Sequence, residues 1–187
     1  IRTAGKYAYL ACSFGVVVID IIRKEINDTW KPGPGTDNNE VLDICFGKGN
    51  IYAATETGVY FAPLSHQGLS YFGNWNLLNS LPDPWGKYNA VVYSGGKLYA
   101  NKIDPMAAGD SIFVADQTAI LFSYISGVFN YSMDQGTEGF TVSSGSSARY
   151  FGSDGTLRKT INTYPFAIPN IMQSVSDEGS IWIADIN

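Results

Sequence analysis

The sequence predicts an all-β fold, a partial β-propeller of about 3.5–4 four-stranded antiparallel blades from a larger ring of seven or eight. Three observations lead there. First, a Gly-x-apolar motif followed by an aromatic or hydroxyl residue recurs, aligning Tyr9, Tyr52, Tyr99, Thr141 and Trp182 at spacings of 43, 47, 42 and 41 residues. Repetition at about 40–45 residues with several short strands per unit is the period of propeller blades, whereas ankyrin, leucine-rich and tetratricopeptide units are shorter. Second, 20 glycines, 14% aromatic and only 16% charged residues suit tight turns between half-buried strands. Third, runs of Ala, Leu, Glu and Lys at helical spacing are absent.

Taken in order, the repeat divides the chain into units 1–36, 37–84, 85–126, 127–167 and 168–187. The first offers strands at 7–13, 16–22 and 26–31, with residues 1–3 as the remnant of an inner strand. The second is the clearest: an inner strand at 41–46, then 51–55, 58–64 and an outer strand at 74–78. Pro82-Asp83-Pro84-Trp85-Gly86 then breaks the sheet, because proline cannot donate to a ladder. The third repeats the plan at 88–94, 98–102, 111–115 and 119–124, with a longer loop at 104–110. The fourth is more degenerate, with strands at 129–133, 139–143, 148–152 and 157–161 and an Asp154-Gly155 hairpin turn that tolerates positive φ. Residues 162–170 cross to a fifth unit, whose strands at 171–176 and 181–185 are hinged on Asp177-Glu178-Gly179. The first residue is Ile and the outer units are incomplete, which fits a processed or partial polypeptide. A ring of seven or eight such blades needs roughly 300 residues.

Charge and motifs exclude several functions. The net charge of −5 with scattered basic residues argues against a phosphate-backbone binder, so no nucleic acid partner is expected. No run approaches the ~18 apolar residues of a transmembrane helix. Cys12 and Cys45 sit in apolar strand patterns and read as small buried hydrophobes rather than a disulfide. The one histidine, His66, lies beside Ser65 in a loop, and adjacency does not make triad geometry. Asp37-Asn38-Asn39-Glu40, with Asp43 nearby, could offer oxygens to calcium, but it lacks the glycine and spacing of an EF-hand. Gly33-Pro34-Gly35 and Gly95-Gly96 lack the Gly-Lys-Ser/Thr ending of a phosphate loop. No catalytic residue, cofactor or metal site is expected.

The tryptophans are the best binding candidates. Trp182 is expected in the repeat core and Trp75 in outer-strand packing. Trp30 and Trp85 fall near the crossings between blades, where propellers present loops. A sugar ring could stack there with Lys31, Asp83 and Tyr88 giving polar contacts, or the rings could pack one blade on the next. Trp30, Lys31, Asp83, Trp85 and Tyr88 are therefore the candidate binding residues.

The segments Ile51-Tyr52-Ala53-Ala54-Thr55…Gly58-Val59 and Ile181-Trp182-Ile183-Ala184-Asp185 resemble the two-component-regulator propeller repeat of Bacteroidetes. The run Tyr9-Leu10-Ala11-Cys12-Ser13-Phe14-Gly15-Val16-Val17-Val18-Ile19-Asp20 is similar to the opening of the N-terminal propeller of the PorZ-type family of type IX secretion. Leu81-Pro82, Gly86-Lys87-Tyr88-Asn89-Ala90, Gly96-Lys97-Leu98-Tyr99-Ala100-Asn101 and Asp154-Gly155-Thr156-Leu157 continue the likeness along nearly the whole chain. The resemblance implies a non-enzymatic scaffold at the periplasm or outer-membrane surface of a Gram-negative bacterium. Its implied partners are a sortase-like protease, an outer-membrane barrel, or glycan and lipopolysaccharide. It carries no family binding residues onto named positions. The shared repeat also supports an alternative, the periplasmic glycan-sensing propeller of a hybrid two-component regulator. A propeller lyase or glycosidase would need converging acids or a His-Tyr pair at the ring centre.

Overall fold

The computed structural model describes residues 1–35, 39–104, 106, 108–115, 120–145, 147–162, 171–177 and 180–185. Each sheet is an antiparallel meander whose strands follow one another in chain order. The first blade holds β1 (Arg2–Ala4), β2 (Tyr7–Cys12), β3 (Gly15–Asp20) and β4 (Glu25–Trp30). The second holds β5 (Val41–Gly47), β6 (Asn50–Thr55), β7 (Gly58–Pro63) and the two-residue β8 (Asn76–Leu77). The third holds β9 (Tyr88–Ser94), β10 (Lys97–Lys102), β11 (Ser111–Ala115) and β12 (Ile120–Tyr124). The fourth holds β13 (Asn130–Gln135), β14 (Gly139–Ser144), β15 (Ser147–Gly152) and β16 (Leu157–Ile161), and the last sheet is the hairpin β17 (Ile171–Asp177) and β18 (Ser180–Asp185).

The predicted β-propeller architecture is therefore present, with two refinements. Residues 2–4 form a complete if short inner strand, pairing Arg2 with Tyr9 and Ala4 with Tyr7. The described residues thus make four four-stranded sheets and one two-stranded sheet. The fourth blade, degenerate in sequence, is as regular as the others.

Alternation along each strand builds the core between blades rather than within one. Ile44, Ile51 and Ala53 turn toward the first blade and join Tyr9, Val16, Val18, Trp30 and Trp75. Their immediate neighbours Cys45, Tyr52 and Ala54 turn the other way and meet Leu81, Tyr88, Val91 and Leu98. The third blade repeats the split, since Val92 and Tyr99 face Met133, Phe140 and Phe151 of the fourth. A one-residue slip in any strand would exchange these two faces, so the aromatic pattern fixes register.

The glycine of the Gly-Val pair that opens β3 and β7 has a steric cause. Gly15 and Gly58 begin β3 and β7 with φ of +134° and +131°, a region that L side chains rarely adopt. A Cβ at Gly15 would stand 2.2 Å from the Trp30 carbonyl oxygen, and one at Gly58 would stand 2.4 Å from that of Pro84. The backbone leaving each blade passes directly over these positions.

One placement overturns its expectation. Trp182, read as a repeat-core residue, is 67% exposed on β18. Its counterparts Tyr9, Tyr52 and Tyr99 are buried because a neighbouring blade covers them, whereas no described blade follows the hairpin that carries Trp182. Trp75 is buried as expected and donates its indole N–H to the Leu69 carbonyl at 2.9 Å. Asp37 and Asn38 of the acidic loop, most of the 162–170 crossing, and Glu178-Gly179 of the last hinge lie outside the described residues.

Candidate functional site

The five predicted binding residues fall into two groups at successive crossings. Trp30 ends β4 and is 91% buried, with its ring 5.4 Å from Tyr9 and 6.5 Å from Trp75. Its indole N–H donates to Asp28 Oδ2 at 2.9 Å, so both its faces and its polar edge are engaged within the protein. Lys31 follows, and its backbone N–H ties the crossing to the Leu69 carbonyl at 3.0 Å. Here the packing alternative describes the tryptophan.

Asp83, Trp85 and Tyr88 share the next crossing. Tyr88 is fully buried, and its hydroxyl donates to the Asp83 carbonyl at 3.2 Å. Burial pushes the Tyr88 phenol well above its ordinary range, with the Asp83 charge adding to the shift, so it stays a neutral donor. The Gly86 N–H closes the turn on the same carbonyl at 3.0 Å. The Asp83 carboxylate pairs with Lys102 at 3.2 Å, and Lys87 pairs with Glu56 at 2.9 Å close by in the chain's turn onto β7. Trp85 projects from this braced loop with 60% of its surface exposed. An exposed indole among polar groups has an open face for stacking. The structure therefore brings Asp83, Trp85 and Tyr88 together and places Trp30 in a different, buried setting.

Sequence reasoning missed a second arrangement, at the ring centre. Arg2 of β1 reaches across to two other inner strands. Its Nη2 meets Asp43 Oδ1 at 3.2 Å and its Nη1 meets Asp134 Oδ1 at 2.9 Å. The same guanidinium donates to the carbonyls of Ile44 and Met133 at 3.2 and 3.1 Å. Asp43 Oδ2 accepts the Val91 backbone N–H at 3.1 Å, and Asp134 Oδ1 also accepts from Gln173 Nε2 at 3.2 Å. One cluster thus links all five inner strands. Burial pushes the Asp43 carboxyl up to about 6, although Arg2 and the Val91 amide favour its charged form. The available signal was a carboxylate inside two inner strands, Asp43 within the apolar β5 and Asp134 near the end of β13. The second-strand alignment did not compare those positions.

A third polar network joins the third and fourth blades. Asp110 accepts from Asn101 Nδ2 at 3.0 Å and from the Asn130 backbone at 2.8 Å, while Asn130 Oδ1 accepts from Arg149 at 2.6 Å. Asn101 Nδ2 donates to Asn89 Oδ1 at 2.6 Å, and Asn89 donates to the Asn130 carbonyl at 2.7 Å. Amides at these positions fasten the two blades beside the apolar contacts of Val92 and Tyr99 with Met133 and Phe140.

The remaining sequence candidates are dispersed. His66 is exposed in the loop after β7, as is Ser65. Cys12 and Cys45 are free thiols, with Cys45 buried and its thiol pushed up by that burial. Asp43, grouped in the sequence with the acidic loop, faces the ring centre instead.

Residues 1–76 match the family model described as the N-terminal β-propeller domain of PorZ of the type IX secretion system. No curated protein matches the chain by sequence. Among solved structures, the chain is similar to PorZ of Porphyromonas gingivalis, described as an essential bacterial surface component of the type IX secretion system. That likeness has 17% identity and a TM-score of 0.72, over 98% of this chain and 23% of that one. It is similar to the extracellular domain of the hybrid two-component system BT4673 from B. thetaiotaomicron, at 12% identity and TM-score 0.66, over 96% of this chain and 26% of that one. Hsv2 of Kluyveromyces lactis matches at 13% identity and TM-score 0.61, over 99% of this chain and 57% of that one. The chain spans about a quarter of each bacterial relative. At these identities the likenesses show the fold.

Proposed function

We propose that the chain is a non-catalytic β-propeller module presenting a contact face for protein or glycan outside the cytoplasm of a Gram-negative bacterium, in a PorZ-like role in type IX secretion and cargo attachment. The observation that carries this reading is the match of residues 1–76 to the PorZ propeller family, on a chain of which 98% aligns with the solved PorZ structure. The contact face is the crossing that carries Trp85 and Asp83, with Lys31 at the neighbouring crossing. Trp30 and Tyr88 act beneath it, as the packing that holds those loops in place. An aromatic anchor of this kind, set in a polar rim, is the usual centre of binding energy.

Immobilised chain is expected to retain a sortase-like protease or an outer-membrane barrel from outer-membrane extract. Trp85→Ala should lower that retention by about ten- to thirtyfold, the loss typical of a central aromatic contact. Recovery of neither partner, or full retention by the variant, sinks the reading.

The likeness to the B. thetaiotaomicron extracellular domain favours a second reading, a periplasmic glycan-sensing propeller of a hybrid two-component regulator. Quenching of Trp85 fluorescence by an oligosaccharide, with no protein retained from the extract, would select it.

A further inference from the structure

The inner strands line an open cavity of about 560 Å³ that reaches every described sheet, with Arg2, Phe46, Val91, Asp134, Gln173 and Val175 among its lining residues. Its walls are chemically uneven. Phe46 and Val175, both partly open to solvent, give an apolar side, and the polar side is the cluster around Asp134. In that cluster two carboxylates face one guanidinium, which leaves a net charge of about −1 when both are ionised.

The hydrogen bonds are unevenly shared as well. Arg2 spends its Nε, Nη1 and Nη2 on Ile44, Asp134, Asp43 and Met133. Both Asp43 oxygens have partners, Arg2 for one and the Val91 amide for the other. Asp134 differs: Oδ1 takes Arg2 and Gln173, while Oδ2 is buried with no partner among the described residues. The residue is only 4% exposed. A buried carboxylate oxygen without a donor is costly, and the cost is removed by a hydrogen-bond donor arriving from the cavity, most of all a charged one. Gln173 is exposed at the cavity wall and is the partner able to swing aside.

We infer that this central cavity is a binding site for a small organic cation, a primary ammonium with an apolar body, whose N–H groups complete Asp134 Oδ2 while its body lies on Phe46 and Val175. A metal ion would leave most of the volume and the whole apolar wall unused. An anion would meet two carboxylates at close range, where Arg2 has already given four of its five N–H groups. The site is separate from the crossing face around Trp85, and its occupancy does not depend on the surface role proposed above.

Benzylammonium chloride and benzyl alcohol, titrated against the chain and followed by amide chemical shifts, form the test. Benzylammonium should shift the amides of Gln135, Gly136, Gln173 and Val175 in a saturable way, at least tenfold tighter than benzyl alcohol. Asp134→Asn should weaken the ammonium at least tenfold and leave the alcohol unchanged. Gln173→Ala should bind the ammonium at least as tightly as the unaltered chain. Equal binding of ammonium and alcohol, undiminished binding by Asp134→Asn, or loss of binding in Gln173→Ala overturns the inference. Should Asp134→Asn fail to fold, the comparison of ammonium with alcohol on the unaltered chain still decides it.

Discussion

The same repeat position is solved in three ways along the chain. In the second blade, Tyr52 lies in the seam to the third, stacked 6.2 Å from Tyr93 at an interplanar angle of 11° and 5.9 Å from Phe61. The Tyr93 ring sits on Gly47 so closely that a Cβ there would come within 2.1 Å of it. In the fourth blade the position is Thr141, whose hydroxyl donates to the Ser174 carbonyl of the last hairpin. In that hairpin it is Trp182, which projects into solvent. A repeat motif thus specifies a place on the blade, and the neighbouring blade decides whether the side chain there is core or clasp.

The largest expected effect separates the first case from the third. Tyr52→Ala removes a ring that is 9% exposed and wedged between two others, and should cost about 3–4 kcal/mol. Trp182→Ala removes a larger ring at the equivalent position and should stay within about 0.5 kcal/mol. Urea denaturation of the two variants beside the parent gives both numbers. Comparable losses would mean that Trp182 is covered in solution, and the contrast between the seams would collapse.

The ring centre gives a second contrast, readable through pH. Asp43 titrates near 6 in the fold against roughly 4 in an unfolded chain, so between those values the folded state binds more protons. Stability from this group is therefore fully present below about pH 4 and is lost as pH rises through 6. The shift of about two units corresponds to about 2–3 kcal/mol. Asp20 and Asp154 run the opposite way. The Arg23 backbone N–H and then Lys6 hold Asp20 below the usual carboxylate range, and the Thr156 N–H does most of this for Asp154. The comparison must therefore be made between the parent and Asp43→Asn. The difference between their stabilities should change by about 2–3 kcal/mol from pH 4 to pH 7, the parent losing ground as pH rises. A constant difference would show that Arg2 offsets the burial of Asp43 completely.

Much of this was legible in the sequence because a propeller repeats its local rules. The strands Tyr88–Ser94, Ser111–Ala115 and Leu157–Ile161 begin and end where aromatic alternation and turn glycines place them. Trp30 shows the limit. A tryptophan at a crossing satisfies the patterns for packing and for ligand binding equally, and only the positions of Tyr9 and Trp75, in two different blades, distinguish them. The centre was less legible still. Arg2 meets Asp43 across 41 residues and the Met133 carbonyl across 131, a separation that no local spacing encodes. β1 escaped full recognition because three residues, Arg-Thr-Ala, carry too little hydrophobic pattern to announce a strand.

The smallest expected effect concerns the polar seam, and it tests whether hydroxyls can replace rings there. Thr141 donates to the Ser174 carbonyl, Ser143 and Ser174 hydroxyls meet at 2.7 Å, and Thr137 donates to Asp177 at 3.1 Å. All three join the fourth blade to the last hairpin, and Gln173 adds its bond to Asp134. Thr141→Val keeps the shape of the side chain and deletes the donor, so it should cost about 1–1.5 kcal/mol. Because the bond is local to this seam, the cost should fall on opening of the hairpin rather than on global unfolding. Amide exchange in β17 and β18 should accelerate about tenfold, while β6 amides change little. Equal acceleration in both places would mean that the hairpin opens only with the whole molecule. In that case its polar contacts and the Tyr52 stack belong to one cooperative unit, and the two seams differ in chemistry but not in strength.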